Sequence, residues 1–72
     1  MNFNECLKKL RKERKANQIE LANLLDISPR AFRFYESGDR EPNIAGLIAL
    51  ADYFQVSLDY LVGRSDNPDI KK

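Results

Sequence analysis

The sequence predicts a small all-α domain built from five short helices. Apolar residues return every three or four positions in one segment after another, the period of a helix face. Most of these segments are preceded by an Asn or Ser of the kind that caps a helix start. No segment alternates apolar and polar residues as a half-buried strand does. At 72 residues the chain is one domain, near the lower limit for a self-supporting core. Its three Gly and three Pro argue against a fibrous or disordered class.

The first helix is predicted over residues 3–15, from Phe3, Leu7 and Leu10 at helical spacing. Cys6 lies beside that stripe and reads as a small core residue; no His stands near to make it a reactive thiol. The second helix starts at Asn17, where Asn17 and Glu20 have capping-box spacing. Leu21, Ala22, Leu24 and Leu25 are its buried stripe, and Asp26-Ile27 breaks it. Ser28 caps the third helix and Pro29 takes its first position, where a missing N–H costs nothing. Phe32 and Tyr35 face inward, and Gly38 ends the helix. Asn43 caps the fourth helix, with Ile44, Leu47, Ile48, Ala51 and Phe54 expected on its inner face. Ser57 caps a short fifth helix anchored by Leu58 and Leu61 and closed by Gly63. Residues 64–72 are polar, contain Pro68, and are expected to form a flexible C-terminal tail.

Charge is balanced overall at +1 but unevenly placed. Residues 1–40 carry nine Lys/Arg and six Asp/Glu, a balance of +3. Residues 41–72 carry three and five, a balance of −2. Lys8, Lys9, Arg11, Lys12, Arg14 and Lys15 fall in one segment, which read alone is either a nucleic-acid footprint or an ordinary solvated face. One Cys cannot form an internal disulfide, which fits a reducing cytoplasm. No apolar run has the length of a signal peptide or a membrane span, so no membrane partner is expected.

Two helices joined by about three residues, with a small residue where they cross, make a helix-turn-helix unit. Ala22 is that small residue, and the unit covers residues 18–37. Pro29, Arg30, Arg33 and Phe34 point outward at the start of the second helix of the pair, the end that enters a major groove in this motif. Each Arg can donate a bidentate pair to guanine O6 and N7. Phe34 is expected to be exposed, where it could pack on thymine methyls, meet a second subunit, or be an incidental surface aromatic.

The chain resembles the phage-repressor/Cro-type (XRE) helix-turn-helix family over residues 5–63. The resemblance rests on Leu7-Lys8-Lys9-Leu10-Arg11, Asn17-Gln18-Ile19-Glu20-Leu21-Ala22, Ile27-Ser28, Phe32, Tyr35-Glu36-Ser37-Gly38, Arg40, Pro42, Leu50-Ala51-Asp52-Tyr53-Phe54 and Val56-Ser57-Leu58-Asp59-Tyr60-Leu61. It implies a five-helix, lambda-repressor-like domain over residues 1–63 and a sequence-specific regulator of transcription, a repressor, bound to double-stranded DNA. It implies that Gln18 braces the reading helix and touches phosphate. It also implies that Arg11 and Glu36 form an ion pair between the first and third helices, with Arg11 still able to reach the DNA backbone. Asn17, Ser37 and Arg40 match backbone-contact positions, with Ser28 beside them at the helix start. Pro29, Arg30, Arg33 and Phe34 match base-reading positions.

The chain departs from the family in three places. Asp26 stands where the turn usually has Gly, and Asp tolerates a left-handed backbone better than most residues. Pro29 can donate no backbone hydrogen bond, leaving Arg30 and Arg33 to carry specificity. Ala45, Gly46 and Ala49 make the fourth helix apolar beyond its core stripe, and a helix with two apolar faces often has a second partner. A homodimer through the fourth and fifth helices is therefore expected, with a palindromic operator to match. Enzyme chemistry has little to work with. There is no His and no Gly-rich phosphate loop, and Glu36, Asp39 and Glu41 lack calcium-loop spacing. Neither cofactor, metal nor small-molecule effector is expected. The competing reading is a protein-interaction module or antitoxin-like partner that keeps the fold without reading DNA.

Overall fold

The computed structural model describes residues 2–70. It contains α1 (Phe3–Glu13), α2 (Gln18–Leu24), α3 (Pro29–Ser37), α4 (Ile44–Phe54) and α5 (Leu58–Leu61). Helix α1 is two residues shorter than its apolar pattern predicts; Arg14 and Lys15 form the turn that ends it.

Every helix begins on an Asn or Ser whose side chain accepts a backbone N–H from three residues ahead. The pairs are Glu5 N–H to Asn2 at 3.0 Å, Glu20 to Asn17 at 2.7 Å, Ala31 to Ser28 at 3.1 Å, Gly46 to Asn43 at 2.8 Å and Tyr60 to Ser57 at 3.0 Å. Each cap satisfies one of the orphan donors of a helix start and is worth about 1 kcal/mol. The capping box at Asn17 is only half made. The Glu20 carboxylate does not return to the Asn17 N–H but accepts the Tyr53 hydroxyl of α4. That contact pushes the Tyr53 phenol above its ordinary pKa, by hydrogen bonding to Glu20 first and partial desolvation second.

Four of the five helix ends, all but that of α3, repeat one device. Ala16, Ile27, Val56 and Arg64 donate their N–H groups to the carbonyls of Arg11, Ala22, Ala51 and Asp59, with the preceding residue bonded inside that loop. This is the Schellman closure, which needs a left-handed residue. Gly63 supplies it after α5, but Lys15, Asp26 and Gln55 supply it elsewhere, at φ of 56°, 57° and 56°. Asp26 thus takes the left-handed role expected of it.

The core is assembled from Cys6, Leu7, Leu10, Leu21, Ala22, Phe32, Leu50, Ala51, Phe54, Val56 and Leu61. Helix α3 packs on α2 and α1, and α5 packs on α4 and α1. Burial pushes the Cys6 thiol above its ordinary pKa, consistent with a packing role.

Helix α4 keeps only part of its expected inner face: Leu47, Ala51 and Phe54 pack inward, but Ile44 and Ile48 do not. Leu50, Ala51 and Phe54 are its buried residues, while Ile44 is 72% and Ile48 48% exposed. From Ile44 to Ala51 the helix carries no polar side chain, so its periodicity does not select a face there. Gly46 is not part of a free surface either: a Cβ there would meet the Pro42 side chain at 3.0 Å. Leu58, expected as an anchor of α5, is 39% exposed. Residues 64–70, expected as a flexible tail, run back to the start of α5. There Pro68 O accepts the Ser57 N–H at 2.9 Å and Asn67 O accepts the Ser57 hydroxyl at 3.3 Å. Lys71 and Lys72 of that expected tail lie outside the described residues.

Candidate nucleic-acid interface

The site is the outer side of α3 and the segments at its two ends. Its inner side is fixed first. Phe32 is fully buried, with Tyr35 edge-on to it at 6.3 Å between ring centroids. One turn later comes Glu36, 4% exposed and the only buried charged residue among those described.

Glu36 is held from two other helices. Arg11 Nε of α1 donates to one carboxylate oxygen at 2.5 Å and Arg11 Nη2 to the other at 3.2 Å. Gln18 Nε2 of α2 donates to the second oxygen at 2.8 Å. Arg11 Nη1 also donates to the Ala16 carbonyl at 3.3 Å. A fork-to-fork arginine–carboxylate pair is directional as well as charged, so it sets the orientation of both partners. The network fixes the rotation of α3 about its own axis and joins three helices at one carboxylate. Three of the five N–H groups of Arg11 are committed inside the protein, and its side chain is 16% exposed. Two remain for any outward contact.

The outer side differs at every point. Arg30 and Arg33 are exposed, and neither has an ion pair or side-chain hydrogen bond among the described residues. They stand three apart on one face, between the second residue of α3 and its midpoint. Pro29 is half-buried at the first helical position. Ser28 and Asn17 are exposed, but their side-chain oxygens serve as N-caps, leaving the Ser28 O–H and the Asn17 amide N–H groups to face outward.

Phe34 is not the freely exposed aromatic expected from the sequence. It is half-buried, and the Arg40 guanidinium lies over its ring, 5.0 Å from the centroid. Gly38, at φ +89°, reverses the chain after α3 and brings Arg40 back; the Arg40 N–H donates to the Phe34 carbonyl at 3.1 Å. The Ser37 hydroxyl shares its proton between that carbonyl, at 3.1 Å, and Asp39 at 2.9 Å.

Two members of the basic run at α1 are engaged elsewhere in the fold. Arg14 donates to the Phe54 carbonyl at 2.6 Å and so closes the end of α4. Lys9 donates to the Tyr60 hydroxyl at 3.3 Å. Both tie α1 to the second half of the chain, a structural use the charge pattern alone did not reveal. Of the three acidic residues near the end of α3, Glu36 is taken by Arg11 and Gln18 and Asp39 by Ser37, while Glu41 is exposed. Among the described residues no helix is long and apolar enough to cross a membrane.

The architecture has close counterparts. A helix-turn-helix family model matches residues 7–61. The chain is 41% identical over 68 residues to the uncharacterized HTH-type transcriptional regulator YqaE of Bacillus subtilis, covering 94% of this chain and 59% of that protein. It therefore spans less than two thirds of the length of the curated relatives it matches first. A crystal structure of a transcriptional regulator from Listeria innocua superimposes with a TM-score of 0.84 at 37% identity, over 99% of this chain and 62% of that one. The P22 c2 repressor, solved in complex with a synthetic operator, superimposes with a TM-score of 0.81 at 31% identity, over 90% of this chain and 98% of that one. With the motif, the five-helix order and these matches in agreement, the chain belongs to the phage-repressor/Cro-type helix-turn-helix family.

Proposed function

We propose that this chain is a sequence-specific double-stranded-DNA-binding regulator of transcription, a repressor, that lays α3 in the major groove. The observation that carries this reading is the asymmetry of α3. One side is locked by Phe32 and the Arg11–Glu36–Gln18 network, while the other presents Arg30 and Arg33 without internal partners. Leaving two arginines unpaired on a helix held this rigidly has little structural benefit, but it suits bidentate recognition of guanine. Arg30, Arg33 and Phe34, with Pro29 at the helix start, read bases. Asn17, Gln18, Ser28, Ser37 and Arg40 hold the backbone, and Arg11 acts mainly by aiming α3. The chain works by binding, with no cofactor, small-molecule effector or catalytic residue, and in the cytoplasm with its DNA.

The partner of one chain on DNA is a second copy. The exposed side of α4 carries Ile44, Ala45, Ile48 and Ala49, and no residue from Pro42 to Ala51 is charged. Leu58 adds apolar surface from α5. Pairing two copies through this face would place two reading helices on a palindromic operator. Sedimentation at tens of micromolar tests it: a dimer is expected, and a monomer with and without operator would remove this part of the reading.

In-vitro selection from random duplexes, followed by a salt titration, tests the whole. A palindromic consensus is expected, with affinity falling steeply as salt rises, because each neutralised phosphate releases counterions. Failure to enrich any duplex would support the interaction-module reading instead.

A further inference from the structure

We infer that Arg40 is a positioning residue for base selection: it holds the Phe34 ring against a thymine methyl while its own N–H groups reach the adjacent phosphate. The inference rests on the reading of α3 as the groove-entering helix and goes beyond a simple backbone contact for Arg40.

Phe34 lies outside the core cluster, so core packing does not set its rotamer. What covers it is the returning loop. The Arg40 guanidinium sits over the ring at 5.0 Å, within cation–π range. The Arg40 N–H and the Ser37 hydroxyl both end on the Phe34 carbonyl. Ser37 is tied to Asp39, and Gly38 supplies the left-handed reversal that makes the return possible. The loop therefore fixes Phe34 at its carbonyl and at its ring. A planar guanidinium can stack on a ring face and still donate sideways, which an ammonium cannot do in the same way. One ring face is thereby covered, and the half-buried Phe34 keeps part of its surface in solvent, four residues on from Arg30 along α3. An apolar ring held still at that position matches the methyl group of thymine, the apolar mark a base pair shows in the major groove.

The experiment uses the whole chain and its selected operator, with each thymine replaced in turn by uracil, which removes only the methyl. For the wild type, a single such replacement in one half-site should weaken binding about fourfold, the value of one methyl group taken out of water. Phe34→Ala should abolish that difference. Arg40→Ala should bring the thymine-to-uracil ratio close to one and also lower the salt slope by about one phosphate contact. Arg40→Lys should restore the slope but not the ratio, with thermal unfolding confirming that each variant folds. Equal weakening of both operators by Arg40→Ala, or wild-type indifference to every thymine-to-uracil change, would overturn the inference while leaving the DNA reading standing. Absence of binding to any duplex would overturn both.

Discussion

The two halves of the molecule use opposite means of presenting a surface. In the first half, α3 is aimed by buried charge: Glu36 is gripped by Arg11 and Gln18, and the arginines on the far side stay free. In the second half, α4 carries no charge until Asp52 and shows isoleucines to solvent on one side while burying Leu50 and Phe54 on the other. A hydrogen-bonded ion pair is directional and fixes a rotation. An apolar face is not, and tolerates adjustment when a partner arrives. On the function proposed above, the first half would read the groove and the second would self-associate.

The largest expected effect comes from breaking the grip on α3. Glu36→Ala leaves Arg11 partly buried without its partner and should cost about 3 kcal/mol in urea unfolding, since an orphaned buried charge is expensive. Replacing the pair together, as Arg11→Met with Glu36→Leu, should recover stability to within about 1 kcal/mol of the wild type, because an apolar pair avoids the desolvation cost. Operator affinity should not recover with it, since the rotation of α3 is no longer fixed. Full recovery of both would mean that the pair serves stability alone.

Next in size is the contrast within α4. Leu50→Ala should destabilise by about 3 kcal/mol, as large-to-small changes in a sealed core do. Ile48→Asp, at a position 48% exposed, should change monomer stability by less than about 1 kcal/mol. It should nevertheless lower the self-association seen by sedimentation. A large loss of stability from Ile48→Asp would mean that the face is already covered within one chain.

The smallest effect concerns the turns. Lys15→Gly should raise stability by about 0.5–1 kcal/mol, because a left-handed φ strains any residue with a Cβ. Thermal unfolding reads this directly. Asp26→Gly should gain less, since Asp tolerates that conformation better.

These features differ in how visible they were in the sequence. Caps were legible because they are local: an Asn or Ser meets an N–H three residues ahead wherever the chain turns into a helix. The Asp26 turn and the outward placement of Arg30 and Arg33 were legible for the same reason. The inner face of α4 was legible only in part: Leu47, Ala51 and Phe54 were placed correctly, but Ile44 and Ile48 are as apolar as Leu50, and only packing against the rest of the core separates them. Arg14 at the end of α4 and Glu20 on Tyr53 join residues 40 and 33 positions apart, and no local pattern announces such pairs. Arg11 with Glu36 came from family resemblance alone. Arg40 over Phe34 is intermediate: Gly38 marks a reversal, but which side chain returns onto α3 depends on the loop conformation.

The most direct test is to replace Arg30 and Arg33 together by Ala and compare binding to the selected operator with binding to random duplex. Both side chains are exposed and unpaired, so unfolding should stay within about 0.5 kcal/mol of the wild type. The preference for the operator should collapse toward the random-duplex level. A double variant that folds normally and still selects the same site would contradict the assignment of α3 as the reading helix.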